Sequence, residues 1–369
     1  MTNRHRRRPS IAGMLWALAL ILSATADAAP RRCLSDCTPR LGIVSAFGQE
    51  AEILIGRATA RRTWTINGNR FITGTLAGNK VVIVLSGVSI VNSAMVTQLM
   101  IDHFRIDHLI MSGIAGGVNP AHHVGDVIIP ERWALPMEVY WNQDAGLPAP
   151  CGAPADMSCL GLRLHLGADG KPVPSFKLPG DVPAGLYMRD SFVMNAGNAP
   201  HGEFRFDYEV DPAMLEVARS MAPVLERCGP KGRSAAGAAI GEAANTGPDP
   251  RSCVATQPRV VVGGRGVSAP IFLANAAYRS YLFEHLQAQT FEMETAALAH
   301  VAYANRIPYI AFRSLSDLAG AEAFNADVGS LFASGLAEAN EAAVTLAFLE
   351  GWARRTAALK AGKRTTRKR

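Results

Sequence analysis

The sequence lacks several features that would assign it to a common class of protein. No apolar run reaches the roughly 18 residues that a membrane-spanning helix needs, and no basic stretch with interleaved aromatic residues favours nucleic-acid binding. The nine histidines form no HxxxH pair and the six cysteines form no CxxC motif, which argues against a metal site. The P-loop and the dinucleotide-binding fingerprint are also absent. We therefore expect a soluble mature protein without a metal, cofactor or nucleic-acid partner.

Charge is distributed unevenly along the chain. Four arginines among the first eight residues precede an apolar segment of 12 residues, Ile11–Leu22. This pattern predicts a secretory signal peptide over residues 1–28 and a periplasmic or secreted protein. The last 19 residues hold eight Lys or Arg and no acid, so we expect a disordered basic tail at 354–369. Positions 29–350 carry 25 basic and 30 acidic residues, so the net charge of +6 does not describe the folded part.

Six cysteines in a chain with an export signal predict disulfide bonds. Six cysteines allow many pairings, and sequence alone does not choose among them. Proximity favours three close pairs: Cys33 with Cys37, Cys151 with Cys159, and Cys228 with Cys253.

Short apolar runs alternate with segments of helical periodicity. Such runs have the length and composition of buried strands, and an Asn67-Gly68 turn between two of them is typical of a hairpin. The alternation predicts an α/β fold whose largely parallel sheet is covered by helices on both faces. The clearest strands are predicted at 41–47, 80–85, 107–111, 125–130, 289–293 and 308–313, and helices at 90–104, 275–287, 294–305 and 327–352.

The middle of the chain differs from the rest in composition. Residues 141–257 are rich in Pro, Gly, Ala and Asp, hold four of the six cysteines and show weak periodicity apart from a predicted helix at 212–226. We interpret them as a long insertion within a single domain at 40–353, and not as part of its catalytic core.

Polar residues follow several of the predicted strands. Glu50 lies just after the first strand, Glu294 follows a later one, and Asp317 follows the last. Each has an ordinary structural explanation as a carboxylate at a helix N-terminus or as an N-cap. The glycines of the segment 113–117 likewise suit a turn after a strand, or a close approach to a ligand. Because open α/β sheets bind ligands beyond the carboxyl ends of their strands, the carboxylates can also share one substrate. One can hold a sugar diol while another moves a proton.

Taken in order, five stretches of the chain resemble the nucleoside phosphorylase and nucleosidase superfamily. Within it they are most similar to the methylthioadenosine/S-adenosylhomocysteine nucleosidases. A further segment, 266–279, resembles exported relatives and the plant bark and vegetative storage proteins of the same superfamily. The five stretches cover about 70 residues: 41–54 (LGIVSAFGQEAEIL), 86–95 (SGVSIVNSAM), 109–130 (LIMSGIAGGVNPAHHVGDVIIP), 291–302 (FEMETAALAHVA) and 308–320 (PYIAFRSLSDLAG).

The resemblance implies a fold and an activity. The fold is a twisted, mixed, partly barrel-like sheet flanked by helices in three layers. The activity is hydrolysis of the N-glycosidic bond of a purine nucleoside, with no cofactor, in a homodimer. By position in the family's motifs, Glu50 activates the water, Asp317 protonates purine N7, and Glu294 holds the ribose hydroxyls beside Met293.

The same resemblance implies supporting roles for further residues. Ser316 and Arg313 fall on residues that support the acid, and Phe272 falls on the aromatic residue that stacks on the base. Ile114-Ala115-Gly116 replaces a Ser-Ala-Gly loop. Phe47 replaces a methionine beside the ribose.

Two other functions are also compatible with the sequence. A phosphate-dependent purine nucleoside phosphorylase would need a cationic, glycine-rich cradle after the first strand. The chain instead has 46–50 (AFGQE) there, and only Arg57 lies near to contribute. A noncatalytic purine-binding or storage protein would suit the exported location and the insertion, but it would need neither Glu50 nor Asp317.

Overall fold

The structure is a computed structural model that describes residues 33–136, 139–141, 162–164, 186–188, 191–229, 253–321 and 334–366. Its helices are α1 (Gly48–Arg57), α2 (Ile90–His103), α3 (Pro212–Ser220), α4 (Ala276–Leu286), α5 (Thr295–Asn305) and α6 (Leu336–Thr366). Its strands are β1 (Arg40–Ser45), β2 (Thr59–Ile66), β3 (Asn69–Leu76), β4 (Asn79–Leu85), β5 (Ile106–Gly117), β6 (Val127–Ile129), β7 (Arg132–Ala134), β8 (Val139–Trp141), β9 (Leu162–Leu164), β10 (Leu186–Met188), β11 (Ser191–Asn195), β12 (Ala199–Arg205), β13 (Asp207–Glu209), β14 (Val260–Val262), β15 (Arg265–Ser268), β16 (Ala288–Glu292) and β17 (Tyr309–Asp317).

A mixed sheet of twelve strands organises the described part of the chain. Its main path runs β13-β7-β15-β16-β5-β1-β4-β3-β2, and β17, β6 and β14 branch from it. The long strand β5 lies at the centre, because it pairs in parallel with β1 and β17 and antiparallel with β16. The predicted mixed α/β fold with helices around a large sheet is confirmed.

Helices cover both faces of this sheet. Residues that follow each other in a strand point to opposite faces. In β17, Phe312 packs against Phe348 of α6, with ring centroids 5.0 Å apart, whereas Arg313 donates to the hydroxyl of Thr295 in α5 at 3.1 Å. Helices α1 and α3 pack with α6, and α2 packs with α5. The central strands are buried on both sides, which is why their sequences are almost continuously apolar.

Local sequence signals account for several turns and caps. Asn67 and Gly68 join β2 to β3 with φ values of 47° and 79°, as a two-residue hairpin turn requires. Asn275 caps α4 by accepting from the Tyr278 amide at 2.8 Å, and Asp211 caps α3 through the Met214 amide at 2.9 Å.

Three predictions of chain organisation need correction. The segment 113–117 continues β5 instead of forming a turn, because its backbone pairs with β17 and with β16. The bounds predicted for the insertion, 141–257, are too wide, since within them β13 pairs with β7 of the main sheet and α3 packs on α6. The predicted helix at 212–226 ends at Ser220.

The C-terminal segment is also more regular than predicted. Helix α6 runs to Thr366, so most of the expected disordered tail at 354–369 is helical. Alanine, lysine and arginine favour helices, and basic residues near a helix C-terminus interact well with its dipole. Arg355 of α6 also forms an ion pair with Glu216 of α3, with 2.6 Å between Nη1 and Oε2.

Two of the three predicted disulfides are confirmed, Cys33–Cys37 and Cys228–Cys253. The predicted Cys151–Cys159 bridge and the predicted signal peptide at 1–28 lie outside the described residues. No helix in the described part of the chain combines the length and apolarity needed to cross a bilayer.

We predict unequal contributions of the two bridges to stability. The Cys228–Cys253 bridge closes a separation of 25 residues and the Cys33–Cys37 bridge one of only 4. Loop-closure entropy then gives about 3–4 kcal/mol for the longer loop and about 2 kcal/mol for the shorter one. Urea denaturation of the two double Cys→Ser variants should show the larger loss for Cys228→Ser/Cys253→Ser. Equal losses would contradict this explanation.

Candidate active site

A pocket with an empty volume of about 650 Å³ opens where β1, β5, β16 and β17 end. Four carboxylate side chains contribute to an otherwise mainly apolar lining. The lining residues are Ala46, Phe47, Glu50, Val88, Ile114, Ala115, Gly116, Ile271, Phe272, Leu273, Phe291, Glu292, Met293, Glu294, Ser316 and Asp317. All the site residues predicted from the sequence line this one pocket, except Arg313.

Glu50 is held at the start of α1. Its Oε2 accepts from the amides of Ala46 at 2.6 Å and Phe47 at 3.2 Å, and its Oε1 accepts from the Ile114 amide at 2.9 Å. The side chain is only 1% exposed, and burial raises the pKa of Glu50, while Arg313 and the three amides oppose the rise. The result is a fixed carboxylate at the pocket that can take a proton.

Gly113 makes the approach of Glu50 to β5 sterically feasible. A Cβ at this position would collide with both the Glu50 carboxylate and the Arg313 guanidinium. A glycine is therefore required by packing, and not by an unusual φ angle. Gly116 is also favoured by packing, though less strongly, since an added Cβ would lie 3.0 Å from Asp317 Oδ1.

Arg313 lies directly behind the pocket and is fully buried. Its Nη2 donates to Glu292 and lies 3.4 Å from Glu294 Oε2, and its Nη1 lies 3.8 Å from Glu50 Oε1. Its Nη1 and Nε also donate to the Ile114 carbonyl at 3.2 Å and the Thr295 hydroxyl at 3.1 Å. One guanidinium thus orients three carboxylates, a geometry that its planar array of donors suits.

Glu292 binds Arg313 from the end of β16. Its carboxylate also accepts from the Ser268 hydroxyl, the Glu294 amide at 3.0 Å and the Thr295 amide at 2.9 Å. These contacts satisfy both oxygens and fix the corner where β16 turns into α5.

Glu294 lies at that corner, where the regular alternation of strand side chains ends. Met293 and Glu294 consequently both line the pocket. Glu294 Oε1 accepts from the Ser89 amide at 2.7 Å. Burial and the neighbouring Glu292 charge raise the pKa of Glu294 to about 7, against the opposing effect of Arg313.

Asp317 ends β17 on another side of the pocket. Its Oδ2 accepts from the Ser316 hydroxyl at 2.9 Å and its Oδ1 from the Ala319 amide at 2.7 Å. Burial raises the pKa of Asp317, and these two hydrogen bonds oppose the rise. The environment thus favours a carboxyl group that retains a proton longer than an exposed aspartate does.

The structure corrects the predicted role of Arg313. Ser316 contacts the acid as the resemblance implies, but the described contacts of Arg313 are with Glu50, Glu292 and Glu294 instead. Arg313 and Asp317 are four residues apart on an extended strand, which separates their Cα atoms by about 13 Å. The register also shifts between Leu315 and Asp317.

Several residues that line the pocket are not predicted from the sequence. Glu292 is one of them, although its place at the end of a strand and just before a helix is a usable signal. Val88, Ile271, Leu273 and Phe291 are apolar residues without a distinctive pattern. Only the folded chain brings them to the pocket.

Comparison with known proteins shows the family to which the chain belongs. The phosphorylase superfamily profile matches residues 40–350. A 5′-methylthioadenosine/S-adenosylhomocysteine nucleosidase of Mycobacterium bovis is 25% identical over 303 residues, which are 80% of this chain and 92% of that protein. The nucleosidase of the same name from Pseudoalteromonas translucida is 44% identical, but over only 24% of this chain and 38% of that protein.

Solved structures show the same fold. The 5′-methylthioadenosine/S-adenosylhomocysteine nucleosidase of S. pneumoniae, with a transition-state inhibitor, has a TM-score of 0.53 and 21% identity, covering 85% of this chain and 100% of that one. Futalosine hydrolase of Helicobacter pylori has a TM-score of 0.52 and 17% identity, covering 85% of this chain and 97% of that one.

The sheet and its flanking helices define a fold of the nucleoside phosphorylase-like class. The chain belongs to the phosphorylase superfamily.

We predict that Gly113→Ala destabilises the protein. The added methyl group must displace Glu50 or Arg313, and overpacking of this kind costs about 1–3 kcal/mol. Gly56→Ala is a matched control, because a Cβ there meets nothing within 4 Å. That control lies in a helix and should gain about 0.5–1 kcal/mol. Urea unfolding curves measure both changes, and a Gly113→Ala variant as stable as wild type would refute the packing argument.

Proposed function

We propose that the protein hydrolyses the N-glycosidic bond of a purine nucleoside, as a nucleosidase of the methylthioadenosine/S-adenosylhomocysteine type. The observation that carries this proposal is that Glu50 and Asp317 line one pocket, each with a raised pKa and each in its own hydrogen-bond network. Pairs of titratable groups in distinct environments are suited to acid and base roles.

Glu50 is proposed as the base that activates water. Hydrolysis of a glycosidic bond passes through an oxocarbenium-like sugar, which water attacks on the face away from the leaving group. The amides of Ala46, Phe47 and Ile114 fix the carboxylate, and Arg313 favours its ionised form. In its ionised form, this fixed carboxylate at the pocket wall can accept the proton that the attacking water loses.

Asp317 is proposed as the acid that protonates the purine at N7. A leaving base departs more readily when it is neutral, and a carboxyl group with a raised pKa can supply the proton near neutral pH. Ser316 holds one oxygen of the carboxyl group and the Ala319 amide the other.

The remaining pocket residues suit the sugar and the base. Glu294 can accept hydrogen bonds from the ribose hydroxyls beside Met293. Phe272 is 64% exposed at the pocket mouth, where its ring can cover a purine. The apolar side chains of Phe47 and Val88 support a substrate with an apolar 5′ group, such as a methylthio group.

The pocket gives little support to the phosphorylase alternative. Its described lining contains four carboxylates and no Lys or Arg, and Arg57 is not part of it. The buried Arg313 behind it is already engaged by Glu292, Glu294 and Glu50. A phosphate dianion would meet repulsion there, whereas neutral water would not.

The activity can be tested directly with the purified protein. We predict that it releases free base from methylthioadenosine, and more slowly from adenosine or inosine, at rates that do not depend on phosphate. Chromatography of the products checks this. Formation of the corresponding sugar 1-phosphate, such as methylthioribose 1-phosphate from methylthioadenosine, would establish a phosphorylase. Tight adenine binding without release of base from any nucleoside would establish a binding protein.

Substitution of either proposed catalytic residue should nearly abolish turnover. Glu50→Gln and Asp317→Asn each remove proton transfer, which is worth about 10²–10⁴-fold in rate. Glu52→Gln is the matched control, because Glu52 is an exposed carboxylate on the same helix. Near-normal kcat in Glu50→Gln or Asp317→Asn would remove the role assigned to that residue.

The pKa of Glu294 predicts a pH dependence of substrate affinity. Below about pH 7 the carboxyl group gains a proton and becomes a poorer acceptor for ribose hydroxyls, so KM should rise as the pH falls. The Glu294→Gln variant should have a higher KM that varies less with pH over this range. A wild-type KM that stays constant from pH 8 to about pH 6 would contradict the role proposed for this group.

We also propose that the protein is a homodimer and is exported. Beside the pocket, Val88, Val91 and Met95 are 45%, 77% and 54% exposed, and a second copy of the chain would cover them. Val91→Glu should therefore yield a monomer by analytical ultracentrifugation, and an unchanged oligomeric state would exclude this surface.

The two disulfides support export. Recovery of the intact N-terminus in the cytoplasmic fraction would contradict it.

A further inference from the structure

A second buried polar cluster lies on the face of β5 opposite Arg313. Ser112 pairs with Phe312 and Gly113 with Arg313, so Ser112 points toward α6. There the hydroxyls of Ser112 and Thr345 lie 3.0 Å apart, and both bind Oε1 of Glu341, the Thr345 bond at 2.8 Å. We call these three residues the Glu341 cluster. It links α6 to the central strand of the sheet.

Glu341 is poorly placed to carry a charge. The residue is 0% exposed, and its Oε2 is buried without a hydrogen-bond partner among the described residues. Within that part of the chain no Lys, Arg or His forms a salt bridge with it, since the guanidinium of Arg313 is directed to Glu292, Glu294 and Glu50. Burying an unpaired carboxylate is far more costly than burying a neutral acid.

The charges around Glu341 favour the neutral form further. Burial raises the pKa of Glu341 well above its usual range. Of its neighbours, Glu50 of α1 and Glu338 of α6 add to the rise, while Thr345 and Arg313 oppose it.

The Glu341 cluster is mechanically close to the proposed base. Ser112 is two residues before Ile114 on β5, and the Ile114 amide donates to Glu50 at 2.9 Å. Between them lies Gly113, where no additional atom fits against Glu50 and Arg313. A shift of β5 at Ser112 would therefore alter the hydrogen bond that orients Glu50.

We propose that Glu341 is a positioning residue that stays an uncharged carboxylic acid and locks β5 through Ser112, so that the Ile114 amide holds Glu50 in place. An uncharged Glu341 also withholds a further negative charge from Glu50, which must ionise to act as a base. The kinetic consequence rests on the proposed nucleosidase function, whereas the protonation state of Glu341 does not.

Infrared spectroscopy tests the protonation state independently of activity. The spectrum of the full-length protein at neutral pH is compared with that of Glu341→Gln. We expect the carbonyl band of one protonated carboxylic acid to be present in wild type and lost in the variant. Loss of only carboxylate bands would show that Glu341 is ionised and would overturn the proposal, whether or not the protein is an enzyme.

Kinetics with methylthioadenosine test the positioning role. Glu341→Ala should lower kcat at least about ten-fold with little change in KM, because small displacements of a catalytic group have large effects on rate. Glu341→Gln, which is neutral and can still bond Ser112, should restore kcat to within about three-fold of wild type. The acidic limb of its kcat/KM profile should not move, since no charge has been removed.

Leu349→Ala is the control for a general loss of packing. Leu349 is fully buried on the same helix, so this variant should lower Tm as Glu341→Ala does, yet keep its kcat. Three outcomes overturn the positioning role: wild-type kcat in Glu341→Ala, equal losses in Glu341→Gln and Glu341→Ala, or an acidic limb displaced to lower pH in Glu341→Gln. If Glu341→Ala does not fold, the Glu341→Gln profile and the infrared band decide.

Discussion

The buried guanidinium of Arg313 is the interaction on which the pocket depends. It is fully shielded from water and lies within 4 Å of the carboxylates of Glu50, Glu292 and Glu294. A buried arginine without partners would cost several kcal/mol, and so would each buried carboxylate, but together they compensate one another. Charge as well as packing therefore fixes three parts of the fold relative to one another. These are the strand that carries Arg313, the corner that carries Glu292 and Glu294, and the helix that carries Glu50.

This arrangement has an electrostatic consequence. One cation faces three carboxylates, and a fourth carboxyl group, Glu341, lies near enough for Arg313 and Glu50 to affect its pKa. Burial raises the pKa of Glu294 to about 7, and the neighbouring charges of Glu292 and Glu50 add to the rise. Asp317 is not among these groups. Burial alone raises the pKa of its carboxyl group, and its two hydrogen bonds oppose the rise. Separate environments for Glu50 and Asp317 are what a division into base and acid requires.

Much of the fold could be predicted because its signals are local. Apolar runs indicate the central strands and Asn67-Gly68 indicates a hairpin turn. The resemblance to the family's motifs predicts that Glu50, Glu294 and Asp317 share one site. Features that depend on tertiary pairing could not be predicted in the same way. The glycines of 113–117 suit a turn as well as a strand, and only pairing with β16 and β17 decides between them. The partners of Arg313 depend on which side chains face it in the folded sheet. Glu50 is remote from it in the sequence, and Glu292 and Glu294 lie at the corner between β16 and α5, where the alternation of strand side chains ends. The composition of the C-terminal segment favours the helical extension to Thr366, but its many basic residues also suit a disordered tail, which is why the prediction was wrong.

In the proposed reaction, Glu50 and Asp317 act on one glycosidic bond, with water as the nucleophile. Hydrolysis of methylthioadenosine in water labelled with heavy oxygen, followed by mass spectrometry of the products, measures this most directly. Hydrolysis should place the label in the sugar at the carbon that held the base, and the released adenine should be unlabelled. Sugar product that carries phosphate in place of the label, or no cleavage by a folded protein, would contradict the proposed reaction.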